Sequence, residues 1–316
     1  MILSVSRRTD IPNYYSEWFI NRIKEGYLYV KNPMNAHQIS RIDLSPEIVD
    51  CIVFWTKNPI NIMDKLDDLK DYQYYFQITL TGYGRDVEPG LPDKNKILIP
   101  AFKELSEKIG KKRTIWRYDP ILINGKYTKE YHYRAFGKIA DELKDYTEKV
   151  IISFVDLYAK TQRNTAGLHI ENTSNEEMLE IAGKLAEIAH SHGLQIESCA
   201  EAIDLESVGV AHGHCIDKNL IEELIGFPLK VEKDKNQRPE CGCMESVEVG
   251  AYNTCKNGCK YCYANYNNER VISQCHLYDP NSPLLCGYVD ETAGDKITIR
   301  KVESLKKRQV SLLEIQ

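Results

Sequence analysis

CIVFWTKNPINIMDKLDDLKDYQYYFQITLT, residues 51–81, reads as strand, helix, strand. CIVFWT and YYFQITLT are short runs that stay largely apolar along their length, and INIMDKLDDLK between them spaces its apolar residues at a helical period. Strands of this kind belong to a parallel sheet buried on both faces. The unit recurs on either side. MILSVSRR is followed by helical SEWFINRIKEG, and YYFQITLT by a helix over residues 94–109. RTIWRY leads into a helix over 129–144, KVIISFVDL into one over 175–192, and LQIESCA into a short one near 218–224. Gly110 and Gly193 stand where two of these helices should stop. ESVEVGAY offers a seventh strand. This α/β repeat predicts a TIM-like partial (β/α) barrel of six or seven parallel strands with helices outside.

The polar run KDKNQRPE breaks the repeat. The expected organisation is a barrel body over 1–235, a cysteine-rich segment over 236–270 that completes the barrel, and a tail over 271–316. The tail reads as irregular, with a basic end (KKRQ), and is expected to cover the barrel mouth or to be loosely ordered.

The chain has 316 residues, 42% of them hydrophobic, which is enough for a large core. No apolar run approaches the roughly 20 residues a membrane span needs, so no membrane is expected as partner. MILSVSRRTDIPNYY lacks the residue order of a signal peptide, which predicts a cytoplasmic protein. A net charge of −5 argues against non-specific nucleic-acid binding.

All cysteines but Cys51 lie after residue 198. In a reducing compartment that clustering points to metal rather than to disulfides. Cys255, Cys259 and Cys262 stand at C-x3-C-x2-C spacing in TCKNGCKYCYANY. Three thiolates on one tight loop can hold three irons of a [4Fe–4S] cluster and leave the fourth iron open to a small molecule. Zinc sites more often use C-x2-C pairs; structural zinc and unliganded thiols are the competing readings. Cys199, Cys215, Cys241 and Cys243 come from three chain segments and suffice for a second metal site, a [4Fe–4S] cluster or zinc, with buried thiols as the alternative. Cys275 and Cys286 could stand in for members of that set. His212 and His214, beside Cys215, read as loop residues before they read as ligands.

GAYNTCKNGCKYCYA resembles the cluster loop of radical SAM enzymes, and especially that of the spore photoproduct lyase branch. FWTKNPINIMDKLDDL resembles a strand and helix of that branch. So does FQITLTGYGRDVEPGLPDKNKILIPAFKELSEKIG with RYDPIL, which includes a Glu-Pro-Gly loop. In that superfamily the cluster loop follows the first strand, whereas here it comes last. The resemblance therefore implies a permuted radical SAM-like order, with ESVEVGAY pairing beside MILSVS. Through SVSRRTDIP, WTKNP, RYDPI and SCAE the chain also resembles, over nearly its full length, a bacterial family of unknown function that carries this C-terminal motif.

The resemblance implies a [4Fe–4S] cluster on Cys255, Cys259 and Cys262, with S-adenosyl-L-methionine as the second cofactor. Tyr261 would lie beside its adenine, and Thr56 and Lys57 toward its methionyl end. No GGE-like string follows the second strand; Thr56, Lys57 and Asn58 stand there instead. The implied chemistry is a 5′-deoxyadenosyl radical acting on an unknown substrate inside the barrel, fed by an electron donor such as flavodoxin or ferredoxin. The alternatives are a non-catalytic zinc or iron–sulfur protein and, by fold analogy alone, a nucleic-acid repair lyase.

Barrel chemistry sits at the C-terminal strand ends. Those ends supply Arg7, Arg8 and Asp10, then Arg117 and Asp119, then Glu201, and these six are the expected catalytic set. The competing reading is that Arg7–Asp10 and Arg117–Asp119 are ion pairs holding loops.

Overall fold

All seven expected strands form, and they lie parallel in one sheet. The computed structural model describes residues 1–156 and 159–306. Its strands are β1 (Ile2–Val5), β2 (Tyr27–Asn32), β3 (Asn35–Asp43), β4 (Cys51–Thr56), β5 (Tyr74–Thr79), β6 (Thr114–Ile121), β7 (Lys149–Phe154), β8 (Gln195–Ser198), β9 (Ala211–His212), β10 (Val247–Glu248) and β11 (Lys296–Ile299). The main sheet has eight strands in the order β10-β1-β4-β5-β6-β7-β8-β9, every neighbour parallel. It does not close. β10 and β9 are its two edges, so the expected barrel of six or seven strands is corrected to an open sheet of eight. The pairing of ESVEVGAY with MILSVS is present, with Leu3 opposite Val247 and Ser4 opposite Glu248.

Alternation along the strands sorts their side chains onto two faces. Leu3, Ile52, Phe54, Phe76, Trp116, Val150, Ile152 and Ile196 share one buried cluster with helix residues such as Phe19, Phe102, Phe136 and Leu185. Phe54 and Phe76 stack across neighbouring strands at 4.6 Å. The other face carries Ile2, Cys51, Val53, Tyr75, Ile115 and Ile151. Of the helices read from the repeat, the short one after LQIESCA lies on this face. The face is filled by the chain from Cys215 to Cys243, including the helix Lys218–Ile225, through Cys215, Ile216, Leu220, Ile221, Leu229, Cys241 and Cys243.

The helices follow the amphipathic segments, with two differences. INIMDKLDDLK keeps the apolar spacing but forms only the short turns Ile60–Met63 and Leu66–Leu69. Residues 94–109 begin as a wide π turn, Lys94–Leu98, before the α-helix Ile99–Ile109.

A second sheet, in the order β11-β3-β2, was not expected. β3 is polar and largely exposed; β2 opens with the strand-forming run YLYV, but that run is short and only half-buried. The tail is corrected too. It contains a helix, Asn268–Cys275, capped by Asn267, and β11, which pairs with β3. It packs on the helix Ser16–Glu25: Trp18 Nε1 donates to the Ser282 carbonyl at 2.8 Å and Arg22 to that of Asn281 at 3.0 Å. The end of the basic KKRQ run, from residue 307 on, lies outside the described residues. Among the described residues, no helix is long and apolar enough to cross a membrane.

Phe76→Ala should cost about 3–5 kcal/mol, because it removes a fully buried ring stacked on Phe54. Urea unfolding of the two proteins measures it, and a loss under about 1 kcal/mol would contradict this packing.

Candidate functional site

The loop carrying Cys255, Cys259 and Cys262 follows β10 and therefore lies at the C-terminal ends of β1 and β4. Three neighbouring segments hold it. The first is the turn after β1. Asp10, buried at the start of the short helix Ile11–Tyr14, accepts hydrogen bonds from Thr56 Oγ1 at 2.6 Å, the Lys57 amide at 2.9 Å, Asn257 Nδ2 at 3.0 Å and the Asn13 amide at 3.2 Å. Four donors satisfy a carboxylate that burial would otherwise penalise. Asp10 thus ties the end of β1, the end of β4 and the cysteine loop together. Tyr14 adds a hydroxyl bond to Asn257 Oδ1 at 2.8 Å, and Tyr15 one to the Thr254 carbonyl at 2.6 Å.

The second is the loop after β5. Its Glu88 is buried and bonded to Lys57 Nζ at 2.8 Å, to Thr81 Oγ1 at 2.9 Å, and to Lys94 and the Tyr261 hydroxyl. Lys57 Nζ also reaches the Tyr261 hydroxyl at 2.7 Å. Gly90 donates its amide to the Asn257 carbonyl at 3.0 Å, and Lys260 its amide to the Val87 carbonyl at 2.9 Å. A Cβ on Gly90 would lie 2.6 Å from the Asn257 carbonyl oxygen, so only glycine permits this approach.

The third is the end of β4, through Lys57. The side chain of Arg7, in the turn after β1, is directed at β10. It pairs with Glu248 at 3.4 Å and lies 3.9 Å from Asp234, not with Asp10; the alternative of an Arg7–Asp10 pair is thereby corrected. Glu248 also accepts from Ser4 at 2.8 Å and from Ser6. Arg8 lies over the Tyr252 ring at 5.1 Å.

The three thiols are buried or half-buried and lie within one another's electrostatic reach. Burial, reinforced by Cys262 and Asp10, holds Cys255 well above the ordinary thiol range. Burial pushes Cys259 up to about 12, although Lys57 opposes it. Burial also raises Cys262. A positive metal centre would reverse that preference. Among the described residues, no three His, Cys, Asp or Glu side chains are already arranged as a shell for one ion. Thiolates of a four-iron cluster bind different irons and need not converge on one point, so a three-cysteine loop fits such a group.

Farther along the same face, Arg117 and Asp119 do form an ion pair, with Nε to Oδ2 at 3.0 Å. Ser153 donates to Asp119, and Arg117 lies over the Trp55 ring at 5.2 Å. Glu201 accepts from the Phe154 amide at 2.8 Å; burial raises it to about 7. It also lines a cavity of 330 Å³ with Ser198, Asp204, Glu206, His212 and Glu240.

The second cysteine set is brought together as well. Cys199 at the end of β8 lies 3.0 Å from Cys215, sulfur to sulfur. Cys241 and Cys243 pack with Cys215 in one buried cluster. Cys275 and Cys286 are elsewhere: Cys275 lies 3.2 Å from the Tyr15 hydroxyl and neighbours Cys286, so neither substitutes for a member of this set.

Sequence reasoning missed Glu88, Lys94, Asn257, Glu248 and Trp55. The signal for Glu88 was the Glu-Pro-Gly loop itself, where a carboxylate follows a strand whose neighbour ends in lysine. Asn257 lay between two ligand candidates and carried no pattern of its own.

The fold and site define an α/β protein with a cysteine-bearing loop at the C-terminal edge of a parallel sheet. The chain belongs to the family described as domain of unknown function DUF1848, whose model matches residues 2–264. No curated protein matches it. Among solved structures it is similar to a putative alpha-L-fucosidase from Bacteroides thetaiotaomicron VPI-5482, with 10% identity over 61% of this chain and 72% of that one and a TM-score of 0.25. An overlap that loose bears on neither fold nor function.

Burial alone would raise Glu88, but Lys57 and Lys94 outweigh it and bring the carboxyl from its ordinary 4.5 down to about 2. Its stabilising contribution is present above pH 4.5 and is lost as the pH falls toward 2. Glu88→Gln should therefore cost about 2–4 kcal/mol at pH 7, since it removes the buried partner of two half-buried ammonium groups. The difference from the parent should shrink between pH 4.5 and 2. Urea titrations across that range test it, and a pH-independent difference would refute the buried-pair assignment.

Proposed function

We propose that the protein is an iron–sulfur enzyme of the radical SAM type. Cys255, Cys259 and Cys262 would hold a [4Fe–4S] cluster whose fourth iron takes S-adenosyl-L-methionine. When bound, that pair supplies a one-electron cleavage yielding methionine and a 5′-deoxyadenosyl radical. The observation that carries the reading is the position of the three-cysteine loop. Its cysteines are buried or half-buried, and it is anchored on three sides and set at the strand ends where a parallel α/β sheet places its chemistry. The strand order supports the permuted form, because β10 stands beside β1 although the two are some 240 residues apart.

The chain's own residues divide the remaining work. Asp10 and Asn257 fix the loop, with Thr56 in the same network. Lys57 places a positive charge near Cys259, where it favours the thiolate. Glu88 holds Lys57 and orients the Tyr261 hydroxyl. Arg117, Asp119, Ser153 and Glu201 line the polar end of the same sheet face and would receive the substrate. Arg7 positions Glu248 against the β1 turn.

Anaerobic reconstitution with iron and sulfide should load about four irons per chain on this loop. After reduction with S-adenosyl-L-methionine present, the protein should release 5′-deoxyadenosine. Cys259→Ala should abolish that product. Full turnover by the variant, or no 5′-deoxyadenosine from the loaded parent, would reject the reading.

A further inference from the structure

Four thiols meet on the sheet face opposite the main helix layer, apart from the three-cysteine loop. Cys199 follows β8, Cys215 follows β9, and Cys241 and Cys243 flank Gly242 near the end of the chain that covers this face. Cys215 and Cys199 are 3.0 Å apart, sulfur to sulfur. Cys215, Cys241 and Cys243 pack in one buried cluster, with Cys199 against it. Cys215, Cys241 and Cys243 are buried and Cys199 is half-buried.

Two further features surround the group. Arg117 Nη1 donates to the Cys215 sulfur at 2.7 Å, and the Ile216 amide to the Cys243 sulfur at 3.4 Å. The His214 ring lies on Gly242 so closely that a Cβ there would overlap Nδ1. That nitrogen is buried and has no hydrogen-bond partner. A buried imidazole nitrogen is rarely left unsatisfied without a reason, and a charged sulfur beside it would supply an acceptor.

We infer that Cys199, Cys215, Cys241 and Cys243 form a structural site for a single tetrahedral zinc ion. Spacing separates this from a second iron–sulfur cluster. Four thiolates at zinc–sulfur distances of about 2.3 Å stand about 3.8 Å from one another along the edges of a tetrahedron. The observed thiol contact needs to open by less than about 1 Å to reach that. Thiolates of a cubane each bind a different iron and stand farther apart, which a C-x-C turn with adjacent sulfurs opposes. Among the described residues these thiols form no ready-made shell for an ion, and metal uptake must release their protons. Arg117 and His214 then act as outer partners that offset the negative charge of four thiolates. The ion staples the covering chain to the end of β8. It also fixes Arg117, and through it Asp119, at the polar end of the face.

The test uses the full chain with Cys255, Cys259 and Cys262 all changed to Ala, so that the first site cannot contribute metal. Expressed with zinc supplied, this protein should retain one zinc per chain after gel filtration. Replacement by cobalt should give the intense visible bands of a tetrahedral thiolate site. Adding Cys241→Ser and Cys243→Ser should remove the zinc and increase cleavage by protease within residues 226–240. Should the double change misfold the protein, Cys199→Ser alone should still shift the cobalt spectrum. Iron with sulfide in the triple variant, a single iron in place of zinc, or no metal at all would each overturn the assignment. None of these outcomes depends on whether the first site makes 5′-deoxyadenosine.

Discussion

A buried carboxylate, Asp10, holds the candidate site together. It joins the end of β1, the end of β4 and the cysteine loop, the last of them 247 residues further along the chain, by four hydrogen bonds. An ionised or partly ionised group taken out of water has to be matched by donors, and donors from three segments can match it only when those segments are correctly placed. The same logic recurs at Glu88, where two lysines and a tyrosine converge on one carboxylate from three segments. The loop is therefore fixed by polar contacts on top of a hydrophobic framework, which is what a site that must keep its geometry requires.

The two faces of the sheet divide their tasks. One packs on helices and supplies most of the core. The other carries a gradient, apolar around Tyr75, Ile115 and Ile151 and polar around Arg117, Asp119 and Ser153. Chain from 215 to 243 covers the apolar part, and the four cysteines lie where that cover meets the strands. An open sheet with one face covered in this way protects its interior without closing into a barrel.

Much of the fold was legible because buried parallel strands are apolar along their length and helices are amphipathic. All seven strands read from sequence form, and β10 stands beside β1 as the cysteine loop implied. The second sheet was not read: β2 (YLYVKN) and β11 (KITI) are short and partly exposed, β3 is polar, and the partners of β3 lie at distant points of the chain. Of the site, Asp10, Thr56, Lys57 and Tyr261 were read as separate candidates, and only packing shows them to be one network. Arg7 was read toward Asp10 because the two are near in sequence, but β10 offers Glu248 at shorter reach.

The sequence by itself determined the parallel α/β architecture and the two sets of cysteines, since hydrophobic period and ligand spacing are local properties of the chain. Tertiary structure alone decided that the sheet stays open, that Glu88 and Asn257 complete the first site, and that four thiols from three segments gather on one face. Those outcomes depend on which remote groups satisfy each buried charge and each exposed face, and no local pattern encodes that.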